Sequence, residues 1–244
     1  MIKAVIFDLD NTLYNFDKGT KAGAEAFAAY CEKELGIAHD EALSGWKEAY
    51  KEQIAAMTDF CPAVHNRLIR AQIFLKKRGI KEIPHATRLA EAYWKGLIDA
   101  MVPEDGVEEL MAAIKKKGLK IAVGTNMTSY VQHLKIEKLG FDKYVDCLIS
   151  SEEAMAEKPT KEFFEYVLKR LDINADEAVF IGDSITHDMD GAVTVDMNRA
   201  WYTKYPKKDD FAKADEKGIK NRIASYRDCL APDGSIKFGD IEIV

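Results

Sequence analysis

No run in these 244 residues is both apolar and long enough to cross a bilayer. Met1 leads almost directly into the run AVIF, so no secretory leader is expected. The four cysteines, Cys31, Cys61, Cys147 and Cys229, have no paired spacing. That argues against a disulfide or zinc framework and for reduced thiols in the cytoplasm. His39, His85 and His133 are scattered and show no zinc spacing. Positive charge is in deficit as well: 35 basic residues stand against 41 acidic ones, for a net charge of −6. Nucleic acid and anionic membranes need a basic face, so neither is an expected partner. The two basic runs, Lys76 to Arg78 and Lys115 to Lys117, each precede a glycine and read as helix C-termini. Internal repeats and low-complexity segments are absent.

What is present is an ordinary soluble composition, 47% hydrophobic and 31% charged. Short apolar runs recur between turn residues: AVIF from Ala4, IAV from Ile121, CLI from Cys147, AVFI from Ala178 and AWY from Ala200. Runs this short and continuous suit strands buried on both faces of a parallel sheet. Between them lie helical patterns. Val107, Leu110, Met111 and Ile114 share one face, with Gly118 as a stop. Val131, Leu134 and Leu139 mark another helix, capped by Thr128 and Gly140. Phe163, Phe164, Val167, Leu168 and Leu171 mark a third.

This alternation predicts an α/β fold with a doubly wound, mainly parallel Rossmann-like sheet. After the first strand it is interrupted. The stretches AGAEAFAAYCEKELG, GWKEAYKEQIAAM, NRLIRAQIFLKKRG and TRLAEAYWKGLIDAM all read as helix and contain no convincing strand. The expected organisation is therefore a core of residues 1–16 and 103–244, carrying a smaller all-helical cap domain at 17–102. The tail SIKFGDIEIV reads as a hairpin turning at Gly239-Asp240.

Ligands of an open α/β sheet bind beyond the carboxyl ends of its strands. The polar residues ending these runs converge there: Asp8, Asp10 and Thr12 after the first, Thr125 and Asn126 after the second, Asp183 and Asp188 after AVFI. A loop adds Lys158 before Pro159. Asp8 and Asp10 sit two apart, on the same side of an extended strand. Like charges so placed repel, so a metal, a base or a reaction must compensate them. Taken singly, each item also reads as a turn, a cap or a loop. Taken together, in this order at strand ends, they read as a site.

These motifs resemble those of the haloacid dehalogenase-like superfamily. DLDNT is similar to its first motif, Thr125 to its second, Lys158 to its third and GDSITHD to its fourth. The resemblance covers almost the whole chain, because one branch carries a small cap where the helical insert falls. It implies a phosphoric monoester hydrolase dependent on Mg²⁺. Asp8 would be the nucleophile, forming an aspartyl-phosphate. Asp10 would be the general acid and then the base, and Lys158 a fixed cation. Thr125 and the backbone of Asn126 would grip the phosphate. The metal would bind Asp8, the Asp10 main-chain carbonyl and Asp183, with Asp188 supporting its waters or Lys158. The dehalogenase branch lacks an acid at the position of Asp10, so this chain resembles the phosphatases instead. It departs from the family at Met127, where many relatives have glycine, and at Val195-Asp196, where they have Ala-Gly.

The resemblance implies a small phosphorylated metabolite as substrate, of nucleoside monophosphate or sugar phosphate type, and a monomer or homodimer in the cytoplasm. His65, Asn66 and Arg67 open a helix of the insert. They read as possible substrate contacts, His65 and Arg67 in particular, or as a helix cap with surface salt bridges; the second reading weighs more. Trp46, Tyr93 and Trp94 read as cap core. Two alternatives stay open. One is a phosphomutase, which returns the phosphoryl group to a bound intermediate. The other is a non-catalytic receiver-like module, disfavoured because a receiver carries its phosphorylated Asp on a middle strand and has no helical insert.

Overall fold

The computed structural model describes residues 1–56 and 61–243. The last residue of the expected helix GWKEAYKEQIAAM, Met57, lies outside them. Strand β1 (Ala4–Phe7) is followed by four helices, α1 (Phe16–Tyr30), α2 (His39–Ala55), α3 (Arg67–Lys76) and α4 (His85–Asp99). Then come α5 (Val107–Lys116), β2 (Lys120–Thr125), α6 (Ser129–Leu139), β3 (Cys147–Ser150), α7 (Ser151–Ala154) and α8 (Lys161–Leu171). Next are β4 (Ala178–Gly182), α9 (Asp190–Val193), β5 (Asn198–Tyr202), α10 (Asp210–Glu216) and β6 (Arg222–Ile223). A hairpin of β7 (Ile236–Phe238) and β8 (Ile241–Ile243) closes the described chain, turning at Gly239-Asp240 as its sequence predicts.

The chain divides into two compact units, Met1–Asn15 with Val102–Val244, and Phe16–Met101. The boundaries fall one residue before those read from the sequence. In the first unit six parallel strands lie in the order β3-β2-β1-β4-β5-β6. The order runs outward in both directions from β1, the arrangement of a doubly wound sheet. β6 escaped prediction because two residues, Arg222 and Ile223, make no apolar run. All four residues of β1 are buried, as a strand covered on both faces requires. On one face Ile6, Ile149 and Phe180 pack with Phe163, Phe164 and Val167 of α8. Each such side chain contributes about 1.5–3 kcal/mol on burial. Register then places the site. Phe7 lies opposite both Val123 and Ile181, so the next residues, Asp8, Gly124 and Gly182, emerge level at the strand ends.

The loop after β5 is partly tied down. Tyr202 and Lys204 donate to the buried Glu104 at 3.0 and 2.5 Å, and Tyr205 also bonds it.

Among its described residues the second unit holds helices and no strand, with α1 packed closely on α4. A Cβ on Gly23 would lie 2.7 Å from Tyr93 O, and one on Gly96 would lie 2.8 Å from Ala22 O. The absence of those two side chains permits the approach. Its core holds Phe27, Trp46, Phe74 and Tyr93, with Phe27–Trp46 centroids 4.2 Å apart and Trp46–Tyr93 5.3 Å apart. Such pairs add about 0.5–1.5 kcal/mol each beyond area burial. Trp46 and Tyr93 are therefore core, as read from their helical spacing. Among the described residues no helix is long and apolar enough to cross a membrane.

Candidate active site

Three chain segments meet at one ammonium. Lys158 Nζ donates to Asp8 Oδ1 at 2.6 Å, to Asp188 Oδ1 at 2.7 Å and to the Gly124 carbonyl at 3.1 Å. All three of its protons are thereby used. Lys158, Asp8 and Asp188 are buried. Burial alone would neutralise the Lys158 ammonium, but Asp188 and Asp8 outweigh it and hold its pKa above the ordinary range. Asp8 experiences the reverse balance. Burial pushes its carboxyl up to about 7, with Lys158 opposing the shift and Asp188 adding to it.

Asp183 joins them from the end of β4. Asp8, Asp183 and Asp188 each offer a carboxylate oxygen, and these atoms lie within 4.8 Å of one another. Burial and then repulsion from Asp188 and Asp8 raise Asp183 to about 8. One lysine does not balance three crowded acids. An oxygen-only donor set with a surplus of negative charge fits a hard divalent cation such as Mg²⁺.

Several supporting contacts have no local sequence signal. Thr12 Oγ1 accepts the Asp183 N–H at 3.1 Å and donates to Asp8 Oδ2 at 3.3 Å, joining the loops after β1 and β4. Trp201 Nε1 donates to the Asp183 carbonyl at 2.8 Å. Asp188 Oδ2 accepts the Ser184 N–H at 2.9 Å. Gly182 makes room for that carboxylate, since a Cβ there would lie 2.2 Å from Asp188 Oδ2.

Thr125, at the end of β2, is buried and accepts a 2.7 Å hydrogen bond from Gln132 Nε2. The hydroxyl proton of Thr125 is then free to point elsewhere. Asn126 grips the Lys158 peptide from both sides. Its Oδ1 accepts the Lys158 N–H at 2.8 Å, and its Nδ2 donates to the Lys158 carbonyl at 3.1 Å. The Asn126 side chain thus positions Lys158, whereas the sequence reading gave Asn126 only a backbone contact to phosphate.

Asp10 stands apart from the lysine cluster. Its Oδ1 accepts from Tyr14 Oη at 2.6 Å and from Lys135 Nζ at 2.7 Å. Met127 and Asp196, singled out in the sequence as departures from the motifs it resembles, are both visible. Met127 has φ of 153° and is buried, with its sulfur 3.9 Å from Lys135 Nζ. Asp196 adopts the left-handed conformation, φ 56°, that a glycine would take without strain.

In the helical unit, Asn66 caps α3 by accepting from Leu68 N at 2.9 Å and Ile69 N at 3.4 Å. The capping half of the expected alternative describes it. Arg67 is buried, donates to the His65 carbonyl at 2.7 Å and lies over the rings of Tyr93 and Trp94. Arg70 stacks on Tyr50, and burial with the neighbouring Arg67 pushes it down to about 9. Arg67 is thus packed among aromatic rings.

A doubly wound parallel sheet with a lysine and three carboxylates at its strand ends is the layout of an α/β enzyme. Residues 2–196 match the haloacid dehalogenase-like hydrolase family. The chain is 33% identical over 232 residues to ribulose-1,5-bisphosphate 5-phosphatase of Halopiger xanaduensis, covering 94% of this chain and 97% of that protein. It is 30% identical to glyceraldehyde 3-phosphate phosphatase of Methanocaldococcus jannaschii, covering 81% of this chain and 83% of that one. In fold it is similar to the 2-haloacid dehalogenase of Pseudomonas syringae, with a TM-score of 0.71, 20% identity, and 93% and 95% of the two chains covered. The chain belongs to the haloacid dehalogenase-like hydrolase family, and its named relatives place it among the phosphatases.

Proposed function

We propose that this chain is a Mg²⁺-dependent phosphatase of a small phosphorylated metabolite, working through an aspartyl-phosphate on Asp8. The observation that carries the reading is the buried Asp8 carboxylate, held 2.6 Å from Lys158 and grouped with Asp183 and Asp188. Asp8, Asp183 and the Asp10 carbonyl would hold the metal, and Asp188 would steady both it and Lys158. When bound, Mg²⁺ supplies charge neutralisation for the phosphate oxygens.

The chain's own groups supply the rest. Lys158 offsets charge between nucleophile and phosphoryl group, and the Thr125 hydroxyl with the Asn126 N–H holds phosphate oxygens. An Asp8 oxygen bonds to phosphorus as the ester P–O bond breaks, and Asp10 gives its proton to the departing oxygen. In the second half, water bonds to phosphorus, passes a proton to Asp10, and the bond from Asp8 breaks. The site is restored and phosphate leaves.

The two relatives above are named for a ribulose bisphosphate and a triose phosphate, so phosphorylated sugars head the list of candidate substrates. Nucleoside monophosphates follow. The test is phosphate release from a panel of both, with Mg²⁺ and with excess chelator. Metal-dependent release concentrated on one group supports the reading; no release from any member, or release indifferent to chelator, overturns it.

A further inference from the structure

Lys135 lies on α6, outside every motif, yet its side chain is wholly buried against an acid of the site. A lysine is almost never fully buried unless it is paired. Its partner is Asp10, across 125 residues of chain. Met127 places its sulfur against the same ammonium, and the Tyr14 ring lies 5.6 Å away. Lys135 and Tyr14 converge on a single oxygen of Asp10, Oδ1. Among the described residues Oδ2 accepts no hydrogen bond, and the Asp10 side chain keeps 18% of its surface exposed.

Resting on the proposed function, we infer that Lys135, with Tyr14, is a positioning residue that fixes the Asp10 carboxyl so that Oδ2 alone faces the leaving oxygen. Two donors from different elements remove the freedom of the carboxyl to rotate. The proton of the first half-reaction therefore leaves from Oδ2 and the water proton of the second returns to it. Lys135 touches neither substrate nor phosphoryl group; it acts through Asp10.

In the first half-reaction a residue acting through a general acid matters only where the leaving group needs a proton, and the second half is common to all esters. The experiment therefore compares kcat/KM, which ends at departure of the leaving group, on an alkyl phosphate, whose alkoxide must be protonated, and on p-nitrophenyl phosphate, whose phenolate leaves unaided. Lys135→Met is expected to lower the alkyl-to-aryl ratio of kcat/KM about tenfold or more. Lys135→Arg should recover part of the ratio, and Tyr14→Phe should lower it less. In an Asp10→Asn background, where the ratio has already collapsed, adding Lys135→Met should change nothing further.

Equal slowing of both esters by Lys135→Met and Tyr14→Phe would overturn the inference, because lost packing makes no distinction between leaving groups. A further fall of the ratio in the Asp10→Asn background would overturn it too. Should Lys135→Met fail to fold, Tyr14→Phe gives the same reading. An unchanged ratio in Asp10→Asn alone would remove Asp10 as the acid and this inference with it, while metal-dependent phosphate release would still test the role of Asp8.

Discussion

Lys158 and Asp8 are 150 residues apart in the chain and 2.6 Å apart in the fold. The contact depends on both main-chain frames. β1 presents Asp8 one residue beyond its last sheet pair, and Asn126 at the end of β2 fixes the Lys158 peptide.

Removing the Asn126 clamp should therefore damage turnover without touching a reacting group. Asn126→Ala is expected to lower kcat about 10- to 100-fold through misplacement of Lys158. Steady-state kinetics check this: a loss confined to KM would assign Asn126 to substrate binding instead.

The crowding of Asp188 against β4 gives a second prediction. In Gly182→Ala the new methyl would lie 2.2 Å from Asp188 Oδ2, so the carboxylate or the strand end must shift. A destabilisation of about 1–3 kcal/mol is expected, with loss of activity. Chemical denaturation and kinetics measure both; unchanged stability would mean that the loop after β4 yields freely.

Metal and pH should act together. Asp8 is raised from an ordinary 3.8 to about 7 and Asp183 to about 8, in each case chiefly by burial. Between the ordinary value and these, the metal-free folded protein keeps protons that the unfolded chain has lost. Its stability therefore falls as pH rises through that window, and the loss is complete above about 8. Mg²⁺ bound by the ionised carboxylates offsets the loss. Thermal unfolding should show a Mg²⁺-induced rise in Tm that grows from pH 5.5 to pH 8.5. A rise that is constant or that shrinks over this range would contradict the placement of the metal at these acids.

Much of this was legible in the sequence because it is local. The runs at Ala4, Ile121, Cys147, Ala178 and Ala200 each became a strand, and a strand's end fixes where the following polar residue emerges. The supporting contacts were not legible, because they join residues distant in sequence. Thr12 reaches Asp183 across 171 positions and Trp201 meets a main-chain carbonyl, and neither leaves a pattern in its own segment. Lys135 had a signal that passed unread. On α6 it lies four residues from both Val131 and Leu139, which places a cation in the middle of a buried face. A buried-face lysine asks for an anion, and Asp10 is that anion.

The central claim is that Asp8 is the nucleophile, and Asp8→Asn tests it most directly. An amide cannot form the aspartyl-phosphate. The account predicts phosphate release reduced by roughly 10⁴-fold or more, with circular dichroism and thermal unfolding still reporting a folded protein. Turnover retained in Asp8→Asn, with contaminating phosphatase excluded, would contradict it.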